Sequence, residues 1–282
     1  MKLVKQCFLV ILSVFVILTN LAYAADFKIL IMQDDKGAVE RFQPILNYLK
    51  KNGITASMVS APNYPHAAKM FVNGEADAMF SGSGLAGTLI IKDIAIPTVR
   101  PVSKDGSSTY KAVILAPKGA PKFTDAKYFA GKKVVFSGLA AAGEFYYRSI
   151  PNIKNVNANI ILAASHGAAI EALARGAADI AIAKDKVWDK RKEEFSNLEK
   201  VGEDKGENPD MTLMLSKKVN KDLVTKVTNI LLGINNDNSP EALEVKNKLN
   251  ADSFIKTTQK DFNHTLDLLK RAGVTKDFNF SF

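Results

Sequence analysis

The chain has 282 residues, with 38 Lys and Arg against 29 Asp and Glu, one Cys, 47% hydrophobic residues and 24% charged residues. Those proportions exclude a disordered chain, a collagen-like repeat and a disulfide-framed mini-protein, and the length suits one large or two modest domains, each able to bury a core. The net charge of +9 attracts small anions or anionic surfaces, whereas lysines scattered along the chain speak against a nucleic-acid groove.

Residues 1–24 read as an export signal. Lys2 and Lys5 give the positive start, residues 8–18 are apolar apart from Ser13, and Ala22-Tyr23-Ala24 offers the small side chains a signal peptidase requires. The apolar run is about 11 residues, shorter than the roughly 18 to 20 that span a bilayer, so a retained anchor is the weaker alternative. Cleavage leaves a chain beginning at Ala25, with 36 basic residues against 29 acidic ones, a net charge of +7. Cys7 goes with the signal and is not placed for lipidation, so disulfides, cysteine metal sites and cysteine nucleophiles are excluded together. No later segment is as long and apolar, so a soluble exported product is expected.

From Phe27 short apolar runs alternate with helical patterns. Residues 27–32 read as a buried strand, 42–52 as a helix ended by Gly53, 55–60 as a strand, 64–72 as a helix and 77–80 as a strand. This βαβαβ order implies a mainly parallel sheet. The same grammar restarts with residues 133–136, 143–149, 160–163, 168–175, 180–183 and 186–194. AAKMFVNGEADAM from Ala67 and AIEALARGAADIA from Ala169 lie 102 residues apart and share Ala67/Ala169, Gly74/Gly176, Ala76/Ala178 and Asp77/Asp179. The reading is two lobes of similar topology; the alternative is two unrelated units that converge on one turn chemistry.

Breaker-rich residues 97–101 and 103–108, and the polar stretch 202–210 before an apolar strand at 211–215, mark two crossings that would make a hinge. The expected organisation is a first lobe at 25–105, a second at 106–208 and a return at 209–282. Candidate helices near 221–233, 240–249 and 259–272 have no strands of their own and pack back on a lobe.

Gly82-Ser83-Gly84-Leu85-Ala86-Gly87 fits the glycine fingerprint that lets backbone N–H groups approach a pyrophosphate. It follows the third strand rather than the first and lacks the acidic residue that reads a ribose. A ligand-facing loop and plain strand–helix packing therefore stand ahead of a dinucleotide site, and no cofactor is expected. His66, His166 and His264 have no metal-type spacing, no serine lies in G-x-S-x-G, and the pairs Asp34-Asp35 and Glu193-Glu194 look like solvated charges. No catalytic or metal site is assigned, though an Asp/Glu pair brought together across the fold stays open. What remains are polar groups at strand ends and helix starts, where open α/β sheets bind ligands: Ser81, Ser83, Tyr64 and His166, the last alternatively a simple cap. The helix starting near Ala142-Gly143 also points free N–H groups outward.

Ser60-Ala61-Pro62-Asn63-Tyr64, NGEADAMFSGSG at 73–84, GSSTYKAVILA at 106–116, DAKYFAGKKVVFSG at 125–138 and ASHGAAIEALARGAADIAI at 164–182, in this order after Phe27-Lys28-Ile29-Leu30, resemble the phosphate/phosphite/phosphonate substrate-binding proteins of ABC importers. These belong to the type II periplasmic binding proteins. The resemblance implies two α/β lobes joined by two hinge strands, a ligand clamped between them, and closure signalled to a membrane permease or sensor by a monomer. It nominates Ser81 and Ser83 at a ligand-contacting turn, Tyr110 beside the hinge, His166 at a helix start and Asp210 near the second crossing. Where the family has a Ser-Thr-Ser-Gly oxyanion turn, this chain has Ala140-Ala141-Ala142-Gly143. Backbone donors and the helix dipole there still favour an anion, but three hydroxyl donors are gone, each worth about 1.5 to 3 kcal/mol to a charged group. A small anion other than the family's usual ligand, a carboxylate or a less polar metabolite, is expected. A ligand sensor and an exported enzyme on the same scaffold are the alternatives.

Overall fold

A computed structural model describes residues 26–32, 37–138 and 142–280. The export signal, Asp34-Asp35, Ala140 and Ala141 lie outside the described residues. The first unit runs β1 (Phe27–Met32), α1 (Ala38–Lys51), β2 (Ala56–Ala61), α2 (Tyr64–Asn73), β3 (Ala78–Ser81) and α3 (Ser83–Ile91). β4 (Ala95–Ser103), β5 (Thr109–Tyr110) and β6 (Ala112–Pro117) lead into the second, β7 (Lys133–Ser137), α4 (Ala142–Ser149), β8 (Asn159–Ala163), α5 (His166–Ala174), β9 (Ile180–Lys184) and α6 (Asp185–Arg191). β10 (Leu198–Glu203), β11 (Asn208–Pro209) and β12 (Thr212–Ser216) return the chain, followed by α7 (Lys221–Gly233), α8 (Pro240–Lys248), β13 (Ala251–Lys256) and α9 (Asn263–Ala272).

Two sheets result, ordered β13-β4-β12-β3-β1-β2 and β10-β6-β9-β7-β8. Each contains the parallel trio its βαβαβ order dictates, β2-β1-β3 and β8-β7-β9. Antiparallel strands from the crossings, and β13 from the C-terminal segment, extend the trios. Between the sheets β5 and β11 pair antiparallel, Tyr110 opposite Asn208, so the two crossings run side by side.

The internal repeat is structural. Asn63 caps α2 by accepting from the His66 N–H at 3.0 Å, and Ser165 caps α5 by accepting from the Ala168 N–H at 3.1 Å. Each helix is followed by a glycine in the left-handed region, Gly74 (φ 80°) and Gly176 (φ 74°), which an L side chain adopts only with strain. Asp77 and Asp179 then do the same task. The Asp77 carboxylate accepts from the Lys28 N–H at 2.9 Å and that of Asp179 from the Lys133 N–H at 2.7 Å, pinning the first strand of each trio to the turn before the third.

Both faces of each sheet are covered. Phe42, Ile45, Leu49, Val227, Leu231 and Phe254 form one core of the first lobe, and Phe71, Leu85, Leu89 and Met214 belong to the other. In the second lobe Phe129, Phe136, Phe145 and Tyr147 pack on one face and Ile170, Leu173 and Trp188 on the other. Helix α9 belongs to both lobes: Leu266 enters a first-lobe core, while Leu268 and Leu269 enter a second-lobe core.

Two expectations are corrected. Residues 97–101 are not a breaker but the middle of β4, where Pro97 faces Met214 at a register irregularity of β12, a place where a missing N–H is tolerated. The C-terminal third does contain a strand, β13, paired antiparallel with β4.

Candidate functional site

The ends of β3 and β9, the start of α5 and the two crossings converge. Ser81 closes β3 with its hydroxyl donating to the Gly82 carbonyl at 3.0 Å, and Gly82 opens α3 beside the Tyr64 hydroxyl. Ser83, fully buried, shares a short hydrogen bond with the Tyr110 hydroxyl, so the first residue of α3 is tied to the first crossing. Over the Tyr110 ring, Lys184 Nζ lies 4.4 Å from the centroid and donates to Asp210 Oδ1 at 2.6 Å. That carboxylate oxygen also accepts from the Met211 N–H at 3.0 Å, and the Asp210 N–H donates to the Ser108 carbonyl at 3.1 Å, joining the second crossing to the first. His166 completes the cluster. Its Nδ1 is shielded from water and has no hydrogen-bond partner.

The electrostatics follow from this geometry. Burial disfavours the charged form of Asp210, but the adjacent Lys184 charge and its hydrogen bond outweigh it, with Lys186 and His166 adding, so the carboxyl titrates below its usual range. Burial lowers His166 to about 3, reinforced by Lys184 and partly opposed by Asp210, so the imidazole is neutral at pH 7. Burial and the Asp210 charge raise Tyr110 well above its ordinary value, which keeps its hydroxyl protonated. The cluster thus holds one cation, one carboxylate and neutral hydroxyl and imidazole groups.

Ser81, Ser83, Tyr64, Tyr110, His166 and Asp210 are therefore brought into one neighbourhood. Ala142 and Gly143 take a different position: the Ala142 side chain is buried in the second-lobe core, and a Cβ on Gly143 would stand 2.6 Å from the Ile182 carbonyl oxygen and 2.8 Å from Phe136 Cβ. The glycine lets α4 lie directly on β7 and β9. Ala141 lies outside the described residues. Lys184 was missed, because a lysine ending a strand carries no motif; its role shows only once Asp210 is folded against it. The glycine fingerprint resolves largely into packing, since a Cβ on Gly87 would meet Leu269 Cδ1 at 2.6 Å where α3 crosses α9.

The second crossing is bolted to α9. Buried Asp204 contacts His264 Nε2 at 2.9 Å and accepts from the Asn208 amide at 3.1 Å, while Thr265 donates to Asn208 Oδ1 at 2.7 Å. Beside the crossings lies a polar cavity of about 460 Å³ that shares Tyr110 with the cluster but carries four acids, Asp105, Asp185, Asp189 and Glu207, against one lysine, Lys186. Among the described residues no group of three His, Asp or Glu could hold a metal ion, and no helix is long and apolar enough to cross a membrane.

Two α/β lobes joined by paired crossings, with a polar cluster where they meet, define a type II periplasmic binding protein fold. The family model described as ABC transporter, phosphonate, periplasmic substrate-binding protein matches residues 27–262, and the chain belongs to that family. It is a family of substrate-binding proteins rather than enzymes, working with ABC permeases in the periplasm. Among solved structures the chain is similar to XAC2383 from Xanthomonas citri bound to chloride ion, at 13% identity, TM-score 0.74, covering 89% of this chain and 98% of that one. It is also similar to PhnD1 from Prochlorococcus marinus in complex with methylphosphonate, at 17% identity, TM-score 0.69, covering 89% and 99%. A histidine kinase sensor domain with similarity to periplasmic binding proteins matches at 14% identity and TM-score 0.55, covering 81% and 98%. A comparison with curated proteins gives no match.

Proposed function

We propose that this chain is exported through a cleaved, non-lipidated signal at residues 1–24 and, as a monomer, captures a small anionic ligand between its lobes for delivery to an ABC importer. The observation that carries the reading is the junction cluster: Ser83 from lobe one, His166 and Lys184 from lobe two, and Tyr110 and Asp210 from the two crossings meet in one place. A ligand bound there touches both lobes and both crossings, so its affinity is coupled to their closure. Ser81 and Tyr64 border the same place.

A second reading, delivery to a membrane sensor, draws support from the likeness to a kinase sensor domain. Catalysis on this scaffold is the weakest reading.

The test is a thermal-shift panel on the chain from Ala25 with phosphate, phosphite, methylphosphonate, sulfate, small carboxylates and neutral metabolites. A ligand at about 100 times its dissociation constant adds about 2.7 kcal/mol, raising Tm by roughly 5 to 10 °C for a chain of this size. A shift confined to neutral compounds would overturn the anionic ligand and keep the binding function. Consumption of the ligand during incubation would replace capture by catalysis.

A further inference from the structure

We propose that Lys184 holds the charged group of the ligand and that Asp210, its ion-pair partner, limits that group to a single negative charge, so that the cleft selects monoanions of the carboxylate class over dianionic tetrahedral oxyanions. This rests on the reading of the junction cluster as the ligand site.

Lys184 is the last residue of β9, at the carboxyl end of a strand in the parallel trio of lobe two, where open α/β sheets present ligand contacts. Its head is held in place from two sides, by Asp210 Oδ1 at 2.6 Å and by the Tyr110 ring at 4.4 Å, yet its side chain keeps 17% of its surface accessible. An ammonium has three N–H donors. Asp210 takes one and the ring face lies against the same nitrogen, which leaves a donor for a ligand oxygen. The unpartnered Nδ1 of His166 is the second observation: a buried ring nitrogen without a hydrogen bond is costly unless a ligand supplies one. A carboxylate bridging Lys184 and His166 would satisfy both.

The charge balance supplies the selectivity. Lys184 and Asp210 cancel, His166 is neutral, and the Ser83 and Tyr110 hydroxyls share one hydrogen bond, so the pair brings at most one further O–H donor and no charge. Lys186, which lines the neighbouring cavity, reaches Asp210 only through space. A single negative charge on the ligand is met by the donor that Lys184 has left and brings the cluster to a net charge of −1. A second charge has no cation of its own here and faces the Asp210 carboxylate, which lies in direct contact with the same ammonium. Like charges brought together in a partly buried site repel strongly.

The experiment is isothermal titration of acetate, propionate and lactate, and of phosphate and methylphosphonate under alkaline conditions where both are dianions, into the wild type, K184M, K184R and D210N. The wild type should bind at least one carboxylate about tenfold or more tighter than either dianion. K184M should lose that carboxylate by roughly ten- to a hundredfold, the worth of a hydrogen bond to a charged group, and K184R should recover most of it. D210N should gain about tenfold for the dianions, a change of opposite sign that a merely structural ion pair would not produce. If K184M fails to fold because Asp210 is left unpaired, K184M/D210N removes the stranded charge and takes its place in the comparison.

The proposal is overturned if methylphosphonate outcompetes every carboxylate in the wild type, if K184M binds unchanged, or if D210N weakens both ligand classes alike. A wild type that binds no anion at all but shifts with neutral compounds fails one step earlier, at the anionic reading of the cleft, and takes this proposal with it.

Discussion

Replacing Gly143 by alanine tests how α4 is seated at the junction, because two effects of opposite sign meet there. Alanine is the better helix former by up to about 1 kcal/mol, which taken alone predicts a more stable protein. The added Cβ, however, would stand 2.6 Å from the Ile182 carbonyl oxygen and 2.8 Å from Phe136 Cβ. The first neighbour is backbone of β9 and the second is the stem of a fully buried side chain, so no rotamer change relieves the contact and α4 must lift from β7 and β9. Overpacking of this kind costs about 2 to 3 kcal/mol, near the upper end of its usual range. The steric effect wins by about 1 to 2 kcal/mol, which at roughly 2 to 4 °C per kcal/mol lowers Tm by about 2 to 8 °C. Thermal unfolding followed by circular dichroism reads it. A Tm equal to or above that of the wild type would show that the contact with Ile182 and Phe136 does not seat α4 and leave Gly143 free for a role other than packing.

Three further outcomes follow from named contacts. His166 is lowered to about 3 from an unfolded value near 6.5, so between those limits the unfolded chain binds a proton that the folded chain does not. Stability therefore falls as pH drops below about 6.5, and in H166Q this part of the slope disappears; denaturant midpoints across the acid range measure it, and an unchanged slope would show that His166 titrates normally. D77A and D179A each remove the acceptor of one strand-opening N–H and should each cost about 1 kcal/mol, with equal effects if the repeat is structural; a loss in one alone would break the equivalence. H264A leaves buried Asp204 without its imidazole partner and should cost about 1 to 3 kcal/mol in thermal melts, whereas no loss would mean that α9 is not bolted to the second crossing.

The parallel trios were legible because most of their strands are short, largely apolar runs, and because Asn63, Ser165, Gly74 and Gly176 announce where helices begin and end. The repeat was legible for the same reason, and Asp77 and Asp179 gave it a physical task. β4 was hidden by Pro97 and Pro101, which count against a central strand until the irregular register of its neighbour is seen. β13 was hidden because a register shift between Ala251 and Ser253 breaks its alternation, and β5 and β11, two residues each, are too short for any period. Of the site, Ser83 and His166 stood out by position at a strand end and a helix start, whereas Asp210 was nominated only by the family resemblance. Lys184 did not stand out, since its pairing with Asp210 spans 26 residues and exists only after the second crossing folds back on β9. Ala142 stood out for the same positional reason as His166, yet its side chain turns into the core.

Closure of the lobes on a ligand is read by small-angle scattering from the chain starting at Ala25. The radius of gyration is measured without ligand and again at saturation with whichever compound gives the largest thermal shift. A smaller radius is expected with ligand bound, with the ligand recovered unchanged. An unchanged radius at saturation, or a ligand chemically altered on recovery, would contradict capture by closure.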